Sequence, residues 1–144
     1  MSLVVLDASV AAKWLVWAGE PLEAEALGLV EFRNQGQIEF VVPDLFWPEI
    51  GSILCKAVQR NRCSEETARR SIQELRNYDL PMAPSEPLLE SAFAIARRYS
   101  RTFYDSIYLA LAVSRQATLI TADEKLANAT AAYFPVKWLG ALQF

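Results

Sequence analysis

The sequence predicts an α/β fold built on a central, mostly parallel sheet, and three observations predict it. Leu3 to Leu6 and Thr118 to Thr121 are short apolar runs, the second rich in β-branched residues, of the kind that form strands buried on both faces. Further strand candidates alternate along the chain with segments of helical length and helical apolar spacing. No repeat, low-complexity tract or linker divides the 144 residues, of which 53% are hydrophobic, so residues 1–144 are expected to form one domain with a sizeable core.

Each element has its own grounds. Leu3 to Leu6 gives the first strand, closed by Asp7; a helix from Ala8 to Trp17 follows, then one from Pro21 to Asn34, stopped by Gly36. Ile38 to Val42 is a strand, and Pro43-Asp44 introduces a helix from Leu45 to Arg60. Ser64 precedes Glu65, Glu66 and an apolar series at Ala68, Ile72 and Leu75, which predicts an N-cap, acids well placed in the first turn, and a helix to about Tyr78. Leu80 to Ala83 is a short strand, and Ser85 caps a helix whose stripe is Leu88, Ala92, Ile95, Ala96 and Tyr99. A helix over Tyr104 to Arg115, the strand Thr118 to Thr121, a brief helix near Glu124 to Ala131 and a final strand at Val136 to Leu139 complete the series. The excess of helix between the second and third strands predicts a helical hairpin over one edge.

Composition removes several chemistries. The sequence has no histidine, which excludes Ser-His-Asp and Cys-His arrangements and histidine-paired phosphodiester hydrolysis, each of which needs a base titrating near neutrality. Two cysteines, Cys55 and Cys63, are too few for a disulfide framework or a zinc set and are expected to be reduced structural thiols. Hydrolysis must then rest on carboxylates, lysine or metal. The formal charge of -3 speaks against a general nucleic-acid binder, but acids that hold divalent cations count in that total, so the distribution of charge matters more. With no apolar run of membrane length and no leader pattern, a cytoplasmic protein without a membrane partner is expected.

Four carboxylates stand in suggestive places. Asp7 and Asp123 each lie just beyond an apolar strand, and the carboxyl ends of strands in an open parallel sheet form the crevice where ligands bind. Glu49 lies on the shoulder of the apolar stripe Phe46, Ile50, Ile53, Leu54 and Ala57. Asp105 opens a helix that is apolar on nearly every side, through Ile107, Tyr108, Leu109, Leu111, Ala112 and Val113, so its carboxylate needs a partner. Like charges about 4 Å apart cost on the order of 4 kcal/mol per pair at an effective dielectric near 20, and divalent cations would compensate. Taken singly, Asp7 and Asp123 read more readily as turn residues, Asp105 as a helix N-cap and Glu49 as a solvated helical residue, and it is their joint placement that points to a site.

Taken together, Leu6-Asp7-Ala8-Ser9, Pro48-Glu49-Ile50, Tyr104-Asp105-Ser106-Ile107-Tyr108-Leu109-Ala110 and Leu119-Ile120-Thr121-Ala122-Asp123 resemble the motifs of the PIN-domain family, and within it the toxin half of VapBC toxin-antitoxin pairs, over essentially the whole chain. The resemblance implies a PIN-like three-layer α/β/α fold and magnesium-dependent endoribonuclease activity, with Mg2+ as cofactor and Mn2+ able to substitute. Asp7, Glu49, Asp105 and Asp123 are the acids it marks as catalytic and metal-binding, with Ser9 and Thr121 hydrogen-bonding the acids or a metal-bound water. It also implies RNA as substrate, a cognate antitoxin protein as inhibitor, and a homodimer. Oxygen ligands without histidine independently favour a hard cation such as magnesium.

Lys56 and Arg60 fall nearly in line with Glu49 along one helix and, with Lys13, offer an RNA backbone a basic track; the Arg97-Arg98-Arg101 cluster adds further charge. For any one of these residues, a solvated helical face is the readier explanation. Trp14, Trp17, Trp47 and Trp138 are assigned to packing rather than base stacking. The rivals are a PIN-type nuclease acting on DNA or in RNA processing without an antitoxin, and a non-catalytic binding scaffold. Asp7 followed by Ala8-Ser9 lacks the aspartate pattern of a phosphatase or receiver, and no glycine-rich turn follows the first strand as a Rossmann module requires.

Overall fold

Five strands, β1 (Ser2–Leu6), β2 (Ile38–Pro43), β3 (Met82–Ala83), β4 (Thr118–Thr121) and β5 (Val136–Trp138), form one sheet in the computed structural model, which describes residues 2–15 and 21–142. The strand order is β3-β2-β1-β4-β5 and every pairing is parallel, so the mostly parallel sheet read from the sequence is parallel throughout the described residues. Seven α-helices accompany it among those residues: α1 (Ala8–Ala11), α2 (Glu23–Asn34), α3 (Phe46–Gln59), α4 (Glu65–Arg76), α5 (Leu89–Tyr99), α6 (Phe103–Arg115) and α7 (Glu124–Thr130).

Strand alternation divides the core in two. Val4, Leu6, Phe40, Val42 and Ile120 face α1 to α4, where Val10, Leu29, Phe46, Ile50, Leu54 and Leu75 cover them. Val5, Val41 and Leu119 point to the other side, against Ala92, Ile107, Tyr108, Leu111 and Ala127. Each wholly buried leucine, isoleucine or phenylalanine contributes roughly 1.5–3 kcal/mol, and both faces of β1 are sealed, which is why its sequence is an unbroken apolar run. Helix α6 is buried from Ser106 to Ala112, as its all-round apolar sequence requires, and α5 packs over it. Helices α3 and α4, between β2 and β3, pack against each other as a hairpin, but they cover the face over β1 and β2 rather than one edge, because their apolar stripes join the core on that side.

Several boundaries differ from the sequence expectation for local reasons. The helix expected from Ala8 to Trp17 is one α turn followed by a 3₁₀ turn, Ala12–Trp14, with Leu15 extended. Trp14 and Leu15 are both buried, and the Trp14 indole N–H is fixed by the Ala26 carbonyl at 2.8 Å, which anchors the chain where the helix ends. Val16 and Trp17 lie outside the described residues. Helix α2 starts at Glu23, two residues late, because Leu22 is left-handed (φ 65°), and it ends as expected at Gly36 (φ 76°), where the Gly36 and Gln37 N–H groups reach back to Arg33 and Phe32 carbonyls.

Ser64 caps α4 through its Oγ, which accepts from the Thr67 N–H at 3.1 Å. Ser85 does not cap. Pro87 removes one N–H that a cap would take and the Leu88 N–H bonds the Ser85 carbonyl in a 3₁₀ turn, Glu86–Leu88, that precedes α5. The Ser85 N–H instead donates to Asp44. β3 keeps only two of the four expected residues, and β5 stops at Trp138 where a 3₁₀ turn, Leu139–Ala141, begins. No described helix is long and apolar enough to cross a membrane.

Candidate functional site

The chain leaves β1 toward β2 on one side and β4 toward β5 on the other, so a crevice opens between the carboxyl ends of these two neighbours. Asp7 follows β1 and Asp123 follows two residues after β4. Asp7 caps α1, its Oδ1 accepting from the Ser9 N–H at 3.3 Å, while Oδ2 accepts from the Thr121 hydroxyl at 2.6 Å. Thr121 is wholly buried, and its Oγ1 in turn accepts from the Asp123 N–H at 3.1 Å, so one hydroxyl ties the two strand-end acids together. Ser9 closes a second tie: its Oγ accepts from the Ala122 N–H at 3.2 Å. Asp123 is exposed and caps α7 through Oδ1 and the Leu126 N–H at 3.1 Å.

The other two acids arrive on helices. Asp105 sits in the first turn of α6, with its N–H donated to the Thr102 Oγ1 at 3.0 Å. Thr102, not Asp105, is therefore the N-cap, and the Asp105 carboxylate stays available to the crevice. Glu49 sits in the first turn of α3 behind Pro48, half-buried rather than solvated. Its Oε1 is buried without a hydrogen-bond partner.

The four carboxylates lie within one another's fields. Burial chiefly pushes the Asp7 carboxyl above its usual range; hydrogen bonds from Thr121 and Ser9 pull it back and Asp105 pushes it up again. Burial also raises Glu49, which Tyr108 lowers and both Asp7 and Asp105 raise. Asp105 is raised by burial, lowered by the Thr102 hydroxyl, raised by Asp123 and lowered by Arg101. Among the described residues no three Asp, Glu, Cys or His side chains meet in a ready-made cage for an ion. Among the same residues three buried side-chain polar atoms complete no hydrogen bond, Glu49 Oε1, Arg101 Nε and Tyr108 Oη, and all three belong to groups that face these acids.

A cleft of about 340 Å³ runs beside the acids. Ser9 and Asp123 stand at its edge with Lys13, Lys56, Arg60 and Arg62, over an apolar floor of Ala12, Ile53 and Ala57. The structure thus brings Lys13, Lys56 and Arg60 to one surface and adds Arg62, which sequence reading passed over. Asn61 is left-handed (φ 56°) and the Arg62 N–H returns to the Ala57 carbonyl at 2.8 Å, a helix-ending motif that turns the chain back toward α3. An Asn directly after Arg60 was the available signal.

Arg97 and Arg98 are exposed on α5 and do not line this cleft, whereas Arg101 faces Asp105. Tyr108, read as part of an apolar helix, belongs to the site: its hydroxyl faces Glu49 and the Ala8 backbone, and burial with the nearby Asp7 and Glu49 charges raises its pKa far above the usual phenol value. Trp14 stacks on Tyr78 at 4.8 Å and Trp47 meets Phe46 edge-on at 5.2 Å, both as packing residues, and Trp138 is half-buried in β5.

A doubly wound parallel sheet between two helical layers, with acids gathered at its switch point, defines an α/β/α domain with a carboxylate-lined crevice. The PIN domain profile matches residues 4–132, and the chain belongs to the PIN domain family. It is 30% identical over 134 residues to "Ribonuclease VapC9" of Mycobacterium tuberculosis, covering 93% of this chain and 96% of that protein. It is 36% identical over 88 residues to "Ribonuclease VapC1" of the same species, a match that spans 60% of this chain and only 65% of that relative. The fold matches PAE2754 from Pyrobaculum aerophilum with a TM-score of 0.69 at 22% identity, over 96% of this chain and 85% of that one. It also matches a chain of the VapBC2 structure from Rickettsia felis bound to a promoter DNA fragment, with a TM-score of 0.68 at 10% identity over 94% and 98% of the two chains.

Proposed function

We propose that this chain is a metal-dependent endoribonuclease, the toxin of a toxin-antitoxin pair, that hydrolyses RNA phosphodiester bonds at the crevice formed by Asp7, Glu49, Asp105 and Asp123. One observation carries the reading: four acids are gathered where three are held above their usual pKa, and a buried Glu49 oxygen among them has no protein partner. A chain gains nothing in stability from such a cluster, so the cluster serves a ligand that supplies positive charge. The names of the ribonuclease relatives support RNA hydrolysis, and the toxin-antitoxin complex of Klebsiella pneumoniae among the similar folds supports an antitoxin partner.

The donor set fits magnesium or manganese: it is all oxygen, and magnesium keeps several waters of its own, so it needs no closed protein cage. Asp7, Glu49 and Asp105 would hold the ion, with Asp123 beside a second or shared one. When bound, such an ion lowers the pKa of a water and neutralises charge on the phosphate. The remaining work falls to the chain itself. Thr121 and Ser9 fix the Asp7 carboxylate, both through hydrogen bonds, so that its orientation survives without the ion. Lys13, Lys56, Arg60 and Arg62 hold the RNA backbone along the cleft through charge, without reading bases.

The test is cleavage of an RNA panel and a matched DNA panel by the antitoxin-free protein in magnesium, in manganese and in chelator, with Asp7→Asn alongside. We expect RNA cleavage that needs the metal and falls by more than about 100-fold in the variant, since even outer partners of a metal site cost 10–100-fold. Cutting of DNA alone would support the DNA-directed reading. No cutting at all would leave a binding scaffold, and an undiminished variant would overturn the assigned active site. A homodimer is expected from the same family reading, and light scattering of the purified chain measures it.

A further inference from the structure

We infer that Tyr108 is a positioning residue for Glu49, holding one carboxylate oxygen by its hydroxyl so that the other is presented to the cation in the crevice. The inference rests on the proposed metal site and concerns a residue outside its four acids.

Tyr108 follows Asp105 by three positions on α6, which places both on one face of that helix. Asp105 thereby reaches the mouth of the crevice while Tyr108, one turn deeper and 2% exposed, reaches its base. There the phenol stands between two elements: the Ala8 backbone at the start of α1 and the Glu49 carboxylate in the first turn of α3. Its oxygen and Glu49 Oε1 are both sealed from solvent and neither completes a hydrogen bond of ordinary geometry. A phenol needed only for packing would be served by phenylalanine at lower cost, because an unpaired buried hydroxyl is unfavourable. The arrangement repeats the one across the crevice, where the Thr121 hydroxyl accepts from the Asp123 backbone N–H and donates to Asp7. Ala8, Tyr108 and Glu49 stand in the matching order, and a small shift of the Glu49 carboxylate would complete the series.

The measurement is calorimetric titration of Mn2+ alone into the wild type, Tyr108→Phe, Glu49→Gln and the double variant, at one pH, with thermal midpoints recorded in chelator. Tyr108→Phe should weaken Mn2+ binding by about 10-fold or more, as loss of a ligand's outer partner does. Its midpoint in chelator should be no lower than the wild type's, and it should add no further loss in the Glu49→Gln background. Unchanged Mn2+ affinity in Tyr108→Phe, with the wild type binding normally, would make Tyr108 a packing residue and leave the metal reading intact. A wild type that binds no Mn2+ would sink the metal site and this inference with it. Should Tyr108→Phe fail to fold, the wild-type hydroxyl proton decides by NMR under magnesium titration: a downfield shift supports the contact with Glu49, and an unmoved resonance overturns it.

Discussion

Asp7 illustrates how one residue can be held firmly and still be uncomfortable. Both of its oxygens are engaged, yet burial and Asp105 keep its carboxyl above the ordinary value, and Glu49 and Asp105 share that condition. Between the ordinary values of 3.8 for aspartate and 4.5 for glutamate and their raised values, the folded chain binds more protons than the unfolded one. Cation-free stability is therefore untouched below that window, falls as pH rises through it, and stays reduced above it. In chelator, Asp7→Asn, which keeps a capping oxygen, should unfold at a higher temperature than the wild type near neutrality, and the two curves should converge on acidification. Parallel curves would mean that Asp7 carries no such burden. Asp7 and Asp123 were legible in the sequence because a carboxylate just beyond an apolar run is conspicuous, and Glu49 and Asp105 because each interrupts an apolar helical pattern. Tyr108 was not, because apolar spacing cannot tell a phenol whose tip meets a carboxylate from one whose ring merely fills the core.

The elements build the candidate site through the faces they present. Helix α3 is the clearest case: its stripe of Phe46, Ile50, Leu54 and Ala57 is buried, Glu49 stands on the shoulder, and Lys56 and Arg60 continue outward along the cleft. If those two cations grip phosphates, Lys56→Ala combined with Arg60→Ala should raise KM with kcat little changed. The slope of log affinity for single-stranded RNA against log salt should then lessen by roughly 0.7 for each phosphate no longer neutralised. Unaltered KM and salt slope would return both residues to the solvated face. Helical spacing made this line visible in the sequence, but the shared cleft with Lys13 and Arg62 depends on α1 and α3 packing side by side, which spacing within one helix does not report. Element ends were least legible. The break after Trp14 goes with the tertiary hydrogen bond from its indole to Ala26, and the failed cap at Ser85 reflects Pro87 and its missing N–H.

For the molecule as a whole, the alternation of strands and helices was enough to give the parallel sheet and its two covering layers, because burial on both faces leaves a mark on the inner strands β1, β2 and β4. The juxtaposition of Asp7 and Asp123 followed from topology, since neighbouring strand ends on one edge share a crevice, whereas Glu49 and Asp105 reach it on the first turns of α3 and α6. A cation bound there stabilises the entire fold by mass action, about 2.7 kcal/mol at 100 times its Kd. Magnesium should therefore raise the thermal midpoint of the wild type, chelator should reverse the gain, and Asp7→Asn should show much less of it. A midpoint indifferent to magnesium and manganese would count against the metal site independently of any cleavage assay.

The hydrogen bond from Thr121 to Asp7 spans 114 positions of sequence. During synthesis, β1 and Asp7 emerge from the ribosome before every other described element, while the strand that completes the crevice emerges only after six of the seven described helices. A nascent chain that stops short of β4 has neither the Thr121 hydroxyl nor Asp123, and β1 has no neighbour on that side. The four carboxylates therefore cannot assemble until β4 and the turn after it have been made, and a product truncated before that point lacks the crevice altogether.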